Sequence, residues 1–300
     1  MSRTSYTVAF LSRHGIGPEV TAEASRAVDA ASRLHGFAVA EHHVPFGADA
    51  MMRFGHPFPM SSRRGVLDSD AVLVASENGQ ALEALEEELD LRAAIVRVRF
   101  GAHAELSLLT PLGTDAWEWT LERAFSLCRS SRARVALVGV DRHWADVASE
   151  VEGRHDGVEV DRLSAAEAVR ALVFQPERFD VVVCPQDFGG AADLAACFVP
   201  GRTTAWGRLA GSGPGVFGAM HGFADDIAGS GVADPCSMLL AAALMLGEGL
   251  GERDAATTLS AAVGRARANG SRVSTRGVAD TVLAQLPLAL ANTEFYREIA

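Results

Sequence analysis

One short segment near the start of the chain, His14-Gly15-Ile16-Gly17-Pro18-Glu19-Val20, contains residue types suited to holding a ligand. A turn with two glycines lets the backbone approach a bound molecule closely. Pro18 and Glu19 suit the first turn of a helix, where a missing N–H is tolerated and a carboxylate complements the positive end of the helix dipole. The segment predicts either a ligand site or a plain strand-to-helix turn.

A second segment, near the other end of the chain, contains similar residue types. It begins at His221-Gly222, continues through Asp226-Ile227 and reaches Asp234, just before an apolar stretch at 238–246. An aspartate in such a loop often caps a turn or a helix. A ligand-binding role for Asp226 therefore depends on the rest of the chain.

Taken together, the two segments resemble the isocitrate/isopropylmalate dehydrogenase family in order and spacing, the second being similar to its adenosine-binding loop and the helix that follows. Further similarity lies at Phe46-Gly47-Ala48, 55–59, 175–183 and 188–195. The resemblance implies an α/β fold in which two α/β domains share a central mixed sheet. It implies a discontinuous nucleotide-binding domain at 1–99 plus 205–300 and a smaller substrate and dimerisation domain at 100–204.

Hydrophobic patterning independently predicts an α/β protein, because short apolar runs alternate with amphipathic stretches of helical length. The glycine-rich stretch at 201–218 is predicted to be a long loop, and the chain from 235 onward to be helical. Strands are predicted at 6–11, 38–44, 71–75, 93–99, 134–140, 158–163 and 181–184, and helices at 18–34, 80–89, 115–129, 144–152, 165–174 and 194–198.

The resemblance implies binding of a dinucleotide through the first segment, His14 to Gly17, and through the loop residues His221, Gly222, Asp226, Ile227 and Asp234. In the family an aspartate at the position of Asp226 hydrogen-bonds the ribose hydroxyls of NAD. A carboxylate there would repel the 2′-phosphate of NADP. NAD is therefore the predicted cofactor.

The chain departs from the family at the acid/base residues, which are a lysine and a tyrosine. All 27 basic residues here are arginine, and tyrosine occurs only at Tyr6 and Tyr296. The lysine segment is matched by Asp141-Arg142-His143, for which we predict a catalytic role. Arginine cannot act as a base, whereas histidine titrates near neutrality, so His143 is either the substitute base or a structural histidine at a strand end. The tyrosine arm, which also clasps the partner subunit in the family, is missing.

Substrate carboxylates are predicted to bind Arg97 and Arg99, close to the family's substrate arginines, with Arg142 as a further clamp. The alternative is a strand whose polar face meets solvent. Another family arginine is replaced by Leu108, which implies a substrate other than isopropylmalate or isocitrate.

We do not expect the family's divalent metal to be bound. One metal-binding aspartate of the family falls at Ala166 and another at Gly190. Asp187 and Asp193, with Glu167, are the remaining candidate ligands, but a hard cation needs several converging carboxylates. Scattered acids on an acidic protein are usually a solvated surface.

Composition limits the partners. A net charge of −11 and a pI near 5.3 argue against a nucleic-acid groove or an anionic membrane surface. The four cysteines lack zinc-ligand spacing and are expected to be reduced thiols. No signal peptide or membrane span is predicted, so a cytoplasmic protein is expected.

We therefore predict a divergent NAD-dependent dehydrogenase that acts on an unusual 2-hydroxy carboxylic acid and forms a homodimer, mainly through helices after Phe188 and Pro235. Two alternatives remain open on the same fold. One is a non-redox decarboxylase or lyase, and the other is a catalytically silent regulatory subunit.

Overall fold

A computed structural model describes residues 4–11, 14–75, 80–100, 104–128, 133–141, 144–189, 202–268 and 274–299. Its contacts divide the chain into two compact units. The first contains residues up to Asp90 and from Thr203 onward, and the second contains Leu91–Phe100 and Ala104–Arg202. The predicted division had placed residues 91–99 with the first unit. They group with the second because the strand Asp90–Phe100 pairs along most of its length with the strand Ala104–Pro111.

The first unit is an α/β layer structure with five strands, β1 (Ser5–Leu11), β2 (Ala38–His43), β3 (Ala71–Val74), β9 (Arg202–Ser212) and β10 (Gly215–Ala219). Their order in the sheet is β2-β1-β3-β10-β9. β1 runs parallel to β2 and β3, β10 is parallel to β3, and β9 is antiparallel to β10. Its helices are α1 (Gly17–His35), α2 (Gly47–Phe54), α3 (Met60–Leu67), α4 (Gln80–Glu86), α8 (Cys236–Leu244), α9 (Arg253–Ala268) and α10 (Thr275–Ile299). A π-helical segment, Met245–Gly249, follows α8.

Helix α1 shows how the sequence determines an element that positions the site. Its buried residues include Val20, Ala24, Ala27 and Ala31, which recur at intervals of three or four and form one apolar face. Proline in its first turn supports the start of the helix. The helix ends at Gly36, which has the left-handed conformation (φ 79°) that terminates many helices.

The second unit contains a further α/β layer with strands in the order β4-β5-β8-β6-β7. β5, β8, β6 and β7 are mutually parallel, and β4 is antiparallel to β5. The carboxyl ends of these four parallel strands therefore lie at one edge of this layer. The elements are β4 (Asp90–Phe100), β5 (Ala104–Pro111), α5 (Trp117–Cys128), β6 (Arg134–Val138), α6 (Ala145–Gly153), β7 (Glu159–Leu163), α7 (Ala165–Phe174) and β8 (Val181–Val183).

The predicted α/β class with a large mixed sheet is confirmed, but the loop predicted at 201–218 is wrong. This stretch forms β9 and β10. Buried and partly exposed residues alternate strictly from Arg202 to Ala210, which is the pattern of a half-buried strand. The glycines concealed that pattern. At Gly218 a Cβ would lie 2.5 Å from the indole of Trp206, so glycine is required there by packing rather than by a turn.

Strand β5 and the short helices α2 and α3 were not predicted, and the helix predicted at 194–198 lies outside the described residues. Cys128, Cys184 and Cys236 are buried and free of disulfides. Within the described parts of the chain, no helix is long and apolar enough to cross a membrane.

Candidate functional site

The glycine turn after β1 is joined directly to the loop that follows β10. The Ile16 N–H donates to the carbonyl oxygen of Phe223 at 2.9 Å, and the Gly17 N–H donates to the His14 carbonyl at 2.9 Å. Gly15 has φ +56°, and a Cβ there would lie 2.1 Å from the Phe223 oxygen. Only glycine allows this approach, so the two predicted ligand-binding segments form one structure.

His14 strengthens the junction through its ring. The imidazole packs edge-on against Phe223 with 4.7 Å between ring centroids, and its Nε2 lies 3.5 Å from Oδ1 of Asp225. Both polar groups are substantially exposed, with 41% of the His14 side chain and 66% of the Asp225 side chain accessible. Such an exposed pair contributes little to stability, so the His14 imidazole can exchange this contact for a ligand.

The loop turns tightly around Asp226. Backbone bonds join Ile227 N–H to the Ala224 carbonyl at 3.1 Å and Ser230 N–H to the Ile227 carbonyl at 3.1 Å. Ala224 has the left-handed φ of 46° that the turn requires. Asp226 is exposed, and its carboxylate has no hydrogen bond or ion pair within the described residues. The structure therefore does not use Asp226 as a cap, which leaves both carboxylate oxygens available to a ligand.

Three polar contacts fix the ends of this loop. Glu19 Oε2 accepts from the Gly231 N–H at 3.0 Å, which joins the first turn of α1 to the loop. Ser237 Oγ accepts from the Met220 N–H at 2.8 Å and donates to the Thr204 carbonyl at 2.6 Å. The loop is thus held at both ends while its tip carries the unpaired Asp226 carboxylate.

Asp234 has a structural role in this arrangement. Its Oδ1 accepts from the Cys236 N–H at 3.0 Å, which satisfies a donor at the start of α8, and its Oδ2 pairs with Arg267. Burial, assisted by the nearby Asp234 carboxylate, strongly raises the pKa of the Cys236 thiol. Cys236 is therefore a neutral thiol at physiological pH and not a nucleophile.

His221 brings an unsatisfied ring nitrogen to the loop. Its Nδ1 lies 2.9 Å from the Gly222 carbonyl oxygen. Because a carbonyl only accepts, Nδ1 carries the proton, and Nε2 of the neutral ring is an acceptor. Nε2 is buried and has no partner among the described residues. An N–H donor brought by a ligand would satisfy it.

In the second unit, the predicted catalytic segment follows β6. Asp141 is exposed and lies beyond the carboxyl end of the strand, and its carbonyl accepts from the Ala145 N–H at 3.0 Å at the start of α6. Arg142 and His143 lie outside the described residues. Trp144 is buried and stacks on Trp117 with 4.2 Å between centroids, so an aromatic pair adjoins this segment.

Arg97 and Arg99 are buried rather than facing solvent, at 9% and 8% exposure. Arg97 donates to Glu105 Oε1 at 3.0 Å and Arg99 to Glu105 Oε2 at 3.3 Å. Glu105 was not predicted. Glu105 could have been found only from the register between β4 and β5, which places its carboxylate beside two arginines of the neighbouring strand.

The arginines and the Asp141 segment lie at different levels of the second unit's sheet. Arg97 pairs with Ser107 of β5. Ser107 is level with Val181 and Val135, which lie at the beginnings of β8 and β6. Arg99 lies two residues further from the carboxyl ends of these strands. Asp141 follows the opposite end of β6. At about 3.3 Å per residue, the strand from Val135 to the end of β6 at Val138 covers roughly 10 Å, so the two arginines and Asp141 lie towards opposite ends of this layer.

The metal candidates are not brought together either. Asp187 is exposed after β8, and Asp193 lies outside the described residues. Glu167 caps its own helix: its Oε2 accepts from the Ser164 N–H at 2.8 Å and from the Ser164 hydroxyl at 2.7 Å, bonds that lower the pKa of the Glu167 carboxyl. In the described part of the chain, no three His, Cys, Asp or Glu side chains are placed to hold a metal ion.

Comparisons with known proteins agree with the predicted resemblance. The family model for isocitrate/isopropylmalate dehydrogenase matches residues 113–293. The 3-isopropylmalate dehydrogenase of Salinibacter ruber is 31% identical over 90% of this chain and 89% of that protein. The 3-isopropylmalate dehydrogenase of Pseudoalteromonas translucida is 29% identical over 90% of this chain and 93% of that protein.

Solved structures give the same result at the level of fold. A β-decarboxylating dehydrogenase from Thermococcus kodakarensis, in its apo form, has a TM-score of 0.80 at 23% identity and covers 96% of this chain and 98% of that chain. The isocitrate dehydrogenase from Methylococcus capsulatus has a TM-score of 0.77 at 22% identity and covers 94% and 99%. The predicted resemblance and the predicted fold are both confirmed.

Proposed function

This chain belongs to the isocitrate/isopropylmalate dehydrogenase family, and from that premise we propose that it is an NAD-dependent dehydrogenase acting on an unusual 2-hydroxy carboxylic acid. The observation that carries the proposal is the unpaired carboxylate of Asp226, exposed on a loop that is bonded to the glycine turn at Gly15. An exposed carboxylate alone is common on an acidic surface. It supports the proposal here because it lies at the family's ribose-binding position, on a loop bonded to the glycine turn.

The first unit supplies the proposed dinucleotide site. Asp226 accepts hydrogen bonds from the ribose hydroxyls and repels a 2′-phosphate, which favours NAD over NADP. The buried Nε2 of His221 accepts from an N–H of the base. The glycine turn from His14 to Gly17 brings backbone close to the ligand, beside the positive end of α1. Asp234 contributes indirectly by holding the start of α8.

The second unit supplies the proposed groups for the substrate. NAD would supply the acceptor for the hydride that leaves the carbinol carbon. His143 takes the hydroxyl proton, and Arg142 and Asp141 orient the substrate. Arg97 and Arg99 offer positive charge to a carboxylate at the opposite end of this layer, so within one chain they do not act on the same small substrate as Asp141. The described acids do not fit a divalent metal, because Glu167 is engaged in capping α7 and Asp187 has no converging partner among the residues that the structure describes. The proposed reaction therefore has no metal-dependent step.

A homodimer remains part of the proposal. The family's clasping arm is missing here, so the contact must come from elsewhere. Helix α8 does not supply its apolar residues, because Met238 to Leu244 are already buried within the first unit at 2% exposure or less. The segment after Phe188, the other predicted contact, lies largely outside the described residues.

One observation favours a second candidate, a regulatory subunit that binds nucleotide without turnover. Glu105 bonds both candidate substrate arginines, so they are engaged before any substrate arrives. In this alternative the Arg97–Glu105–Arg99 cluster has only a structural role, and the protein retains only nucleotide binding at the Asp226 loop. The decarboxylase or lyase alternative finds less support, since it does not account for the arrangement of the Asp226 loop.

A turnover assay separates these candidates. Purified protein is incubated with NAD and a panel of 2-hydroxy acids, with and without EDTA, and NADH is followed by its absorbance, while thermal shift reports NAD binding. The proposal expects NADH formation on at least one hydroxy acid and little effect of EDTA. A thermal shift without turnover on any member would support the regulatory candidate. Neither a shift nor turnover would contradict both.

A further inference from the structure

The first unit contains a cavity to which the dinucleotide proposal gives no role. It lies against α1, the ends of β1 and β2, and the start of α2, and its volume is about 680 Å³. This volume falls within the range of roughly 300–1,000 Å³ typical of small-molecule sites. Its wall includes Phe10, Pro18, Ala22, Ser25, Glu41 and Asp49.

This cavity is separate from the Asp226 loop although both adjoin α1. In the first turn of the helix, Glu19 contacts the loop by accepting from Gly231, whereas the neighbouring Pro18 lines the cavity. Ala22 and Ser25, one and two turns further on, continue the cavity wall along the same side of the helix. A ligand here would bind independently of the proposed function.

The charges that line the cavity favour a cation. Two carboxylates, Glu41 and Asp49, belong to the wall, and their side chains are 26% and 21% exposed. Arg26 is the guanidinium in the lining, and it is already paired with the carboxylates of Glu23 and Asp280. When the ion-pair partners Glu23, Asp280, Arg53 and Arg276 are all counted with the lining residues, the fixed charges around the cavity still sum to a negative value. An anion would therefore be repelled.

Glu41 is held in a defined position. Its Oε1 accepts from the Ser25 hydroxyl at 2.5 Å, and its Oε2 lies 3.3 Å from Nε2 of His43. A carboxylate fixed by two neighbours loses little conformational freedom when it binds a ligand, which favours affinity. Each oxygen retains lone pairs for an ammonium group.

The remaining wall suits an organic cation rather than a metal ion. The rings of Phe10 and His43 lie 5.3 Å apart and, with Pro18 and Ala22, give the cavity an apolar and aromatic side. Alkyl groups pack on such a wall, and an ammonium is attracted to ring faces. A metal ion would lack ligands, since the described residues contain no group of three side chains able to coordinate one.

Thr21 provides a second and independent indication of a ligand. This lining residue is 2% exposed, and its hydroxyl oxygen has no hydrogen-bonding partner among the described residues. Buried hydroxyls are nearly always hydrogen-bonded, so this lining residue lacks a polar partner. The oxygen has almost no accessible surface, so a ligand would supply that partner after the side chain rotates towards the cavity.

We propose that this cavity is a binding site for a small organic cation that carries a primary ammonium group on a short alkyl chain. The ammonium lies against Glu41 and Asp49, and the chain lies against Pro18, Ala22 and the Phe10 ring. The site would be a ligand site distinct from the dinucleotide loop.

Isothermal titration calorimetry with butane-1,4-diamine tests the proposal, with butane-1,4-diol as the uncharged probe of equal length. At physiological ionic strength the diamine should bind the wild-type protein with a single site and the diol should not. Glu41→Gln should weaken diamine binding at least about fivefold, since it removes a hydrogen bond to a charged group. Glu87→Gln, an exposed position away from the cavity, removes the same charge and should leave the affinity unchanged.

A folding control keeps the test decisive. Ala22→Trp fills the cavity from the exposed side of α1 while leaving every carboxylate in place, and it should abolish diamine binding with the melting temperature nearly unchanged. Absence of diamine binding to the wild type, equal binding of the diol, or equal weakening by Glu87→Gln would each overturn the proposal. Unchanged binding to a folded Ala22→Trp variant would do the same.

Discussion

Gly15 and Phe223 meet so closely that a Cβ at position 15 would lie 2.1 Å from the Phe223 carbonyl oxygen, the oxygen that also accepts from the Ile16 N–H. This contact joins the start of α1 to the loop carrying Asp226. The proposed NAD site depends on it, because it places the glycine turn directly beside the loop that carries Asp226.

Gly15→Ala should therefore destabilise the first unit and weaken NAD binding together. Gly36→Ala is the matched control, because Gly36 also has a positive φ (79°) but a Cβ there meets nothing within 4 Å. The control should lose roughly 1–2 kcal/mol from left-handed strain alone. Gly15→Ala should lose at least about 2 kcal/mol more, since backbone must move. Denaturant unfolding measures the difference, and equal losses would contradict the contact.

Glu105→Gln should destabilise the protein by about 3 kcal/mol, because it leaves the nearly buried guanidinium groups of Arg97 and Arg99 without their shared carboxylate. This loss of stability is at the low end of the range for buried ion pairs, because about a quarter of the Glu105 side chain is exposed. Glu159→Gln breaks the exposed pair with Arg134 and should change the free energy of unfolding by less than about 1 kcal/mol. Similar values for the two variants would argue against a buried cluster.

Part of the fold and part of the candidate site could be predicted from the sequence alone. The glycine turn, the Asp226 loop and the α/β class were predictable, because short motifs and hydrophobic periodicity are local properties. The engagement of Arg97 and Arg99 by Glu105 was not, since it depends on the register between β4 and β5. β9 and β10 were mistaken for a loop because Gly218 is required by the packing of Trp206, a contact that no local pattern reveals. Asp234 was predicted to bind the ligand, but its carboxylate pairs with Arg267 and accepts a hydrogen bond from the Cys236 N–H at the start of α8.

The Glu167 carboxylate should make the stability of the second unit depend on pH. The bonds from Ser164 lower the pKa of this carboxyl from its ordinary 4.5. A lowered folded-state pKa means that the stabilisation is present above the ordinary value and is lost as the pH falls through the folded one. The difference in free energy of unfolding between wild type and Glu167→Gln should therefore shrink between about pH 7 and about pH 3.

Urea unfolding at the two pH values measures that difference. Glu177→Gln, at an exposed position, is the control and should show no such change. A difference for Glu167→Gln that stays constant with pH would show that the capping box does not act through the ionised carboxylate.

His143→Ala should lower kcat substantially, by about 10²-fold or more, as expected for loss of a general base. NAD affinity should be unchanged, because the proposed dinucleotide site lies in the first unit. His155→Ala is a useful comparison, since that histidine contacts Glu122 and Phe125 and has a structural position. Steady-state kinetics with the hydroxy acid found by the substrate panel measures both variants. A fully active His143→Ala enzyme would remove this residue from the mechanism.

The central claim is that Asp226 binds the ribose of NAD, and calorimetric titration of NAD into Asp226→Asn and Asp225→Asn tests it most directly. The two variants change charge equally within one loop, but only Asp226 lacks a partner among the described residues. We predict that Asp226→Asn raises the Kd for NAD at least about tenfold, while Asp225→Asn stays within about twofold of wild type. Equal effects of the two substitutions, or no heat of NAD binding to folded wild-type protein, would contradict the account.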